Sequence, residues 1–255
     1  MSLTTDPAKE IIDMCHYLKG IRINPSNEKI SSVLQREFDT ELCTPYRILD
    51  VYNQRFVHFL EIIEDMQEDH LDDEIRMDAI SASKVLSKLF DFGALNESWS
   101  SRTGQIITNT NILKIRGISS DLRRNFPLRK LEKQERDELK TKLGNYDLEL
   151  SLKGSAPEFV IEATKIGLRD IKLSLEYYEV FGSSQTLDAV HKSIVNVRAL
   201  ETVLDKGDQS KISELKKIVS EIYSKIQTVN SHVDTISSVG SKVVNALAFL
   251  SGEGS

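Results

Sequence analysis

Apolar residues recur at alternating steps of three and four near the C-terminal end of the chain. The series begins at Ile212, is interrupted only at Gly240, and ends at Leu250. A period of 3.5 residues over this length places one narrow apolar stripe along a helix of roughly 58 Å. We therefore expect a coiled-coil helix over 208–250 that pairs with a helix of the same chain or of a second copy. The oligomerisation positions predicted on its stripe are Leu215, Val219, Ile222, Ile226, Val229, Val233, Ile236, Val243 and Leu247.

Cap residues followed by periodic apolar positions predict helices along most of the remaining chain. Asp6 and Thr44 each precede a proline, which is the residue pair that commonly begins a helix. Further helices are expected from Ser26 to about Phe38, from Asp72 or Asp73 to a stop before Gly93, and over 129–143, 157–181 and 184–204. Short turns join the last of these, so they favour antiparallel neighbours.

Two segments depart from the helical period and suggest β structure. Between Asn96 and Gly117, Ile106 and Ile107 and the alternating Leu113 and Ile115 lie among Thr, Asn, Ser and Gly, a pattern typical of a small hairpin. Alternation also occurs from Tyr146 to Leu152, where a third strand and the frayed end of a charged helix are both open interpretations. The predicted fold is mainly α: an elongated helical bundle with a long C-terminal coiled-coil helix and a small β hairpin.

The composition agrees with a helical protein and suggests three regions. With 255 residues, 40% of them hydrophobic, five prolines and twelve glycines, the chain can bury a substantial core in long helices. We predict a helical region over 1–125, a charged connector over 126–154, and an antiparallel helical bundle over 155–255. The chain lacks an apolar signal core and a run of 18 apolar residues, so a cytoplasmic location is expected.

The charge of the chain is unevenly distributed. The formal net charge is −6, yet residues 96–145 carry eleven basic and six acidic side chains. Such a local excess can attract phosphate even in an acidic protein. The alternative is a solvated helix in which these basic side chains pair with Glu132, Glu135, Asp137 and Glu138.

The segment 80–95, followed by the glycine-containing stretch to Gly117, resembles the recognition helix and wing of winged helix-turn-helix domains. Leu86 and Leu89 match the two core anchors of that helix, and Gly93 matches the glycine of the following turn. The resemblance covers 44–117 and implies a helix in the major groove and a hairpin that touches phosphate. On this hypothesis the DNA-binding residues are Ser83, Lys84, Ser87, Lys88, Arg102, Arg116, Arg123 and Arg124. An ordinary helix end with a surface hairpin is the alternative.

Motifs that would indicate an enzyme are absent from the sequence. No phosphate-binding or dinucleotide glycine pattern occurs, and Cys15 and Cys43 lack the spacing of a zinc site. The carboxylates Glu61, Glu64, Asp65 and Glu68 beside His70 lack the order of a calcium loop and are expected to be a solvated face. We predict no catalytic residues, no metal, no cofactor and no small-molecule substrate.

Two functional hypotheses follow from these patterns. The first is a non-enzymatic dimer that associates with double-stranded DNA, as a winged-helix regulator or a chromosome-associated subunit, and dimerises through the C-terminal helix. The alternative is a helical scaffold, or a membrane-active bundle resembling α-helical pore-forming components, that assembles through the same stripe. The membrane alternative depends on the weakly charged segment from Ile226 to Leu250.

Overall fold

The computed structural model describes residues 4–24, 27–38, 43–66, 72–146, 156–204 and 212–226. These residues are mainly helical, with one small two-stranded sheet between β1 (Thr4–Thr5) and β2 (Leu128–Arg129). The chain divides into two units. The first unit contains Thr5–Pro127 and Glu179–Gly182; the second contains Met1–Thr4, Leu128–Tyr178 and Ser183–Ser255.

The first unit contains seven helices among its described residues. They are α1 (Pro7–Gly20), α2 (Ile30–Phe38), α3 (Pro45–Asp65), α4 (Asp73–Leu86), α5 (Trp99–Ile106), α6 (Asn109–Gly117) and α7 (Ser119–Asn125), with 3-10 turns at Ser87–Phe90 and Phe92–Asn96. The predicted caps of the early helices are present. Asp6 accepts a hydrogen bond from the Lys9 amide, Thr44 from the Arg47 amide, and Asp72 from the amides of Glu74 and Ile75. The structure therefore confirms the three starts that were expected from side-chain caps.

The helix expected from Ser26 begins four residues later, at Ile30. Lys29 forms an isolated antiparallel bridge with Ser98, and the Ile30 amide donates to the Glu97 carbonyl. The bridge places Lys29 in extended backbone, and the Ile30 amide is already bonded outside the helix, so the helix begins at Ile30.

The prediction of a hairpin between Asn96 and Gly117 is wrong, because α5 and α6 occupy this segment. Thr108 caps α6 by accepting a hydrogen bond from the Asn111 amide. Ile112 and Ile115 face the core, whereas Leu113 is exposed. The apparent alternation therefore includes one surface residue, and the wing that the winged-helix resemblance required is absent from this segment.

The second unit is built around four helices among its described residues. They are α8 (Lys133–Asn145), α9 (Glu158–Glu176), α10 (Tyr178–Val203, from Ser183 onward) and α11 (Ser213–Ile226). Their apolar faces share one core, to which α8 contributes Leu139 and Leu143. The charged segment that was predicted as a connector thus supplies part of this core. The alternating residues Leu148 to Leu152 lie outside the described residues.

Candidate interaction surface

The first half of the predicted coiled-coil stripe is closed within the chain. Ile212, Leu215, Val219, Ile222 and Ile226 are all buried in the core of the second unit. The α11 helix runs antiparallel to α10, since Lys216 pairs with Glu201 and the ring of Tyr223 lies 5.5 Å from that of His191. Over 212–226 the stripe therefore already has its partner helix. The remaining oligomerisation positions, Val229, Val233, Ile236, Val243 and Leu247, lie outside the described residues.

A different apolar face of the second unit is exposed. On α9, Phe159 is 74% exposed and Ile166 is 54% exposed; on α10, Val195 is 66% exposed and Val203 is 42% exposed. Ala163 and Ala199, which lie between these pairs on their helices, are also exposed. The spacings are four and three residues on α9 and four and four residues on α10, which places each set along one side of its helix. We name the set Phe159, Ala163, Ile166, Val195, Ala199 and Val203 the outer face.

The two stripes of the outer face are held side by side by a close approach of α9 to α10. Asn196 donates from Nδ2 to the Ala163 carbonyl oxygen at 2.9 Å. A Cβ at Gly167 would lie 2.8 Å from Ser193 Oγ, so the absence of a side chain there allows the helices to come together. The outer face is consequently one surface shared by two helices.

The predicted DNA-binding residues of α4 and its 3-10 extension differ in accessibility. Ser83 is buried and donates to the Ala79 carbonyl, so its hydroxyl cannot reach a groove. Ser87 is partly buried and donates to the Lys84 carbonyl. Lys84 and Lys88 are exposed.

The four predicted arginines also differ in their surroundings. Arg102 donates to the Lys88 carbonyl at 2.6 Å and lies 3.6 Å from Glu97, and Arg123 lies 3.2 Å from the buried Asp6 carboxylate. Arg116 and Arg124 are exposed, and no ion pair joins either of them to an acidic side chain in the described part of the chain. The structure thus gives Arg102 and Arg123 intramolecular partners.

Basic side chains on and around α8 are balanced within the second unit. Arg129 lies 2.5 Å from Glu135 and donates to the Lys225 carbonyl, and Lys142 lies 2.7 Å from Glu221. The hydrogen bond from Lys142 lowers the pKa of Glu221. Arg136 stacks over the ring of Tyr178, 4.7 Å from its centroid. These neighbours reduce the positive field that the sequence suggested for this helix.

A buried charged cluster lies in the core of the first unit. Arg55 and Glu10 are both almost fully buried and approach within 3.5 Å, and Arg55 also donates to the Val180 carbonyl. Gly182 has φ +69°, and a Cβ there would lie 2.6 Å from Glu10 Oε2. The cluster therefore fixes the backbone of Glu179–Gly182 against α1 and α3. This cluster was not predicted from the sequence, because nothing in the local pattern of α1 or α3 distinguishes Glu10 or Arg55 from the exposed charged residues of the same helices.

Burial also controls the titration of two neighbours of Arg55. Desolvation raises the pKa of the Cys15 thiol to about 12 and raises the pKa of the Tyr52 hydroxyl well above its usual value. Cys15 is thus a neutral core thiol, and Tyr52 donates to the Leu86 carbonyl at 2.6 Å. Both residues act in packing.

The described ranges offer neither a metal cluster nor a membrane span. No group of three or more His, Cys, Asp or Glu side chains there could hold a metal ion. None of the helices in the same ranges is long and apolar enough to cross a bilayer. The segment from 227 to 250, on which the membrane hypothesis depends, lies outside these ranges.

The chain was compared with protein-family models, with curated proteins and with solved structures, and nothing matches it.

Proposed function

We propose that this chain is a non-enzymatic assembly protein, a helical scaffold whose second unit binds a helix through its outer face. The observation that supports this proposal most strongly is the exposure of four apolar side chains on two adjacent helices: Phe159, Ile166, Val195 and Val203. Scattered exposed apolar residues are ordinary on protein surfaces, but a clustered set on neighbouring helices is typical of an interface. A helix is the occupant that suits this surface, because the side-chain ridges of two neighbouring helices can receive those of a third.

The anchor of this interface would be Phe159. Its large ring is the most exposed of the four side chains, and aromatic residues commonly provide much of the binding energy at interfaces. Ala163 is small, so it would let the backbone of a bound helix approach α9 closely.

The experiment that tests this function is photo-cross-linking in cells. A photoreactive phenylalanine analogue replaces Phe159 in the full chain, and in a matched control it replaces Tyr46, which is equally exposed but lies in the first unit. We expect a discrete adduct, with a polypeptide of any identity, from position 159 and none from position 46. Absence of an adduct at 159, or equal adducts at both positions, would contradict the proposal.

A second candidate function, association with double-stranded DNA, is favoured by one observation. Lys84, Lys88, Arg116 and Arg124 are exposed, and no described acidic side chain forms an ion pair with them. These side chains would contact phosphate, so binding would not depend on the DNA sequence. Ser83, which was predicted to face the major groove, is buried in the core and cannot contact a base.

The DNA candidate is tested by binding to a random-sequence duplex at increasing salt. If these residues touch phosphate, replacing both Lys84 and Lys88 by Gln should reduce the salt slope by about 2, close to one unit per lost contact. An unchanged slope, or no binding at low salt, would reject this candidate. Replacement of Lys192 by Gln, on α10, is the control for loss of a lysine away from this surface.

A further inference from the structure

The charges that flank the outer face on α9 are ordered along the helix. Glu158 and Glu162 are exposed in its N-terminal half, whereas Lys165, Arg169 and Lys172 follow in the next two turns, with Asp170 as the one acid among them. Phe159 lies between the two glutamates, Ala163 lies between Glu162 and Lys165, and Ile166 directly follows Lys165. The apolar positions therefore lie beside acidic side chains in the first turns of α9 and beside mainly basic ones over 165–172, while the last residue, Glu176, pairs with Lys140 of α8.

This order distinguishes two ways in which α9 could meet another copy of itself. In a parallel pair, Glu162 would face Glu162 and Arg169 would face Arg169 across the interface, and like charges opposed in this way repel. In an antiparallel pair, the acidic first turns of each helix would face the mainly basic segment 165–172 of the other. The charge pattern is thus self-complementary only in the antiparallel arrangement.

We infer that the partner of the outer face is a second copy of this chain, with the two α9 helices antiparallel about a two-fold axis near Ala163 and Ile166. This inference rests on the proposed assembly function and names its partner. A two-fold interface uses the same patch on both subunits, which is what a self-complementary patch provides.

The geometry gives each residue of the patch a place in the pair. Near the axis, Ala163 of one copy packs against Ile166 of the other, because a small residue opposite a branched one allows close approach. Phe159 extends toward the C-terminal half of the other α9, where its ring covers the aliphatic stem of Arg169. The α10 residues Val195 and Val203 border the pair and extend its apolar area.

Apolar substitutions test the centre of this interface. Sedimentation equilibrium of the purified full chain should show a monomer–dimer equilibrium. Replacing Phe159 and Ile166 together by Ser should weaken it by about 100-fold or more, since both side chains lose their buried area. The control is Met77→Ser, which changes a similarly exposed apolar residue of the first unit and should leave the dimer unchanged. A chain that is monomeric throughout, or a control that weakens the dimer equally, would overturn the inference.

Charge reversal tests the antiparallel order. The single variants Glu162→Lys and Lys165→Glu should each dimerise about 5-fold more weakly, because each brings like charges together across the axis. An equimolar mixture should recover association, since one copy then offers two basic and the other two acidic side chains. The intrahelical pair of Glu162 with Lys165, at 3.7 Å, stays broken in both variants, so its loss cannot explain the recovery.

The outcomes separate this inference from the function on which it rests. If the mixture associates no better than the single variants, the antiparallel self-pairing is rejected. If the purified chain is monomeric while position 159 cross-links to a different polypeptide in cells, self-pairing is likewise rejected and the scaffold function stands. If position 159 gives no adduct and the chain is monomeric, both proposals fail together.

Discussion

Gly182 is the residue at which the backbone departs most clearly from the surrounding helix. Its φ of +69° lies in the left-handed region, and the space beside its Cα is filled by Glu10 and Arg55. An alanine there would be strained by both its backbone and its Cβ.

We expect Gly182→Ala to lower the free energy of unfolding by about 1–3 kcal/mol, as a strained backbone conformation does. The measurement is urea denaturation followed by circular dichroism. Gly104→Ala is the control, because Gly104 lies within α5 with no atom near its Cβ position, and alanine favours a helix. A Gly182→Ala chain as stable as the control would show that the left-handed backbone is not required.

The ion pair of Arg55 and Glu10 makes a second prediction at this scale. Arg55→Met alone should destabilise the chain by about 3–5 kcal/mol, because it leaves the Glu10 carboxylate buried without its counter-charge. Adding Glu10→Leu should recover a large part of this loss, since the second buried charge is then removed as well. Lys192→Met, which breaks the exposed pair with Asp188, should change the stability by about 0.5 kcal/mol or less. The measurement is thermal unfolding of the unsubstituted chain, Arg55→Met, the double variant and Lys192→Met. A double variant less stable than Arg55→Met would contradict the prediction.

The Cys15 thiol allows a test by pH and reagent. Its pKa is raised from 9.0 to about 12. Between these two pH values the thiol is protonated in the folded chain and ionised in the unfolded chain. The stability that comes from this group is complete below about pH 9 and declines as the pH rises toward 12. Cys15 and Cys43 are both buried, so neither should react with a disulfide reagent at pH 8 until urea unfolds the chain. Reaction of a thiol in the native chain within the mixing time would disprove this burial.

Among the elements, α6 is the one that the sequence pattern misassigned. Leu113 and Ile115 imitate the alternation of a strand, but Leu113 points to solvent. The positions Ile112, Ile115, Ile118 and Leu122 are buried and follow the helical period through α6 and α7. A longer window, together with the cap at Thr108, would have revealed this stripe.

The cap at Thr108 gives the test at this scale. Thr108→Ala should destabilise the chain by about 1 kcal/mol, which is the usual cost of losing an N-cap side chain. Thr110→Ala, two residues further and exposed, should be neutral or slightly stabilising, because alanine favours a helix over threonine. Equal effects of the two substitutions on the urea midpoint would argue against a helix that begins at Asn109.

Other elements show which features of the sequence are sufficient to predict a helix and which leave its packing partner open. Asp6, Thr44 and Asp72 each indicated a helix because the cap is a local hydrogen bond between neighbouring residues. The stripe from Ile212 to Ile226 correctly indicated a buried face, but periodicity has no information on which helix covers it, and here that helix belongs to the same chain. The outer face was not predicted from the sequence. Its apolar residues on α9 and α10 look the same in the sequence as those that are buried in the core, so periodicity does not show that they are exposed.

At the scale of the whole molecule, the proposed role is assembly through helices. The core of the second unit accommodates α11, and the apolar residues left outside it form the outer face. The order of charges along α9 then makes a second copy, turned through a two-fold axis, the complementary partner.

The most direct test is cross-linking at the predicted axis. Ala163→Cys in the full chain should give a covalent dimer in high yield with a short bismaleimide, because the introduced thiols of the two copies lie close to the two-fold axis. The two native thiols are buried, so the unsubstituted chain should give none. Thr141→Cys, exposed on α8, is the matched control away from the outer face. A strong dimer from Ala163→Cys alone is the predicted result; equal yields from both variants, or no dimer from Ala163→Cys, would contradict self-pairing through α9.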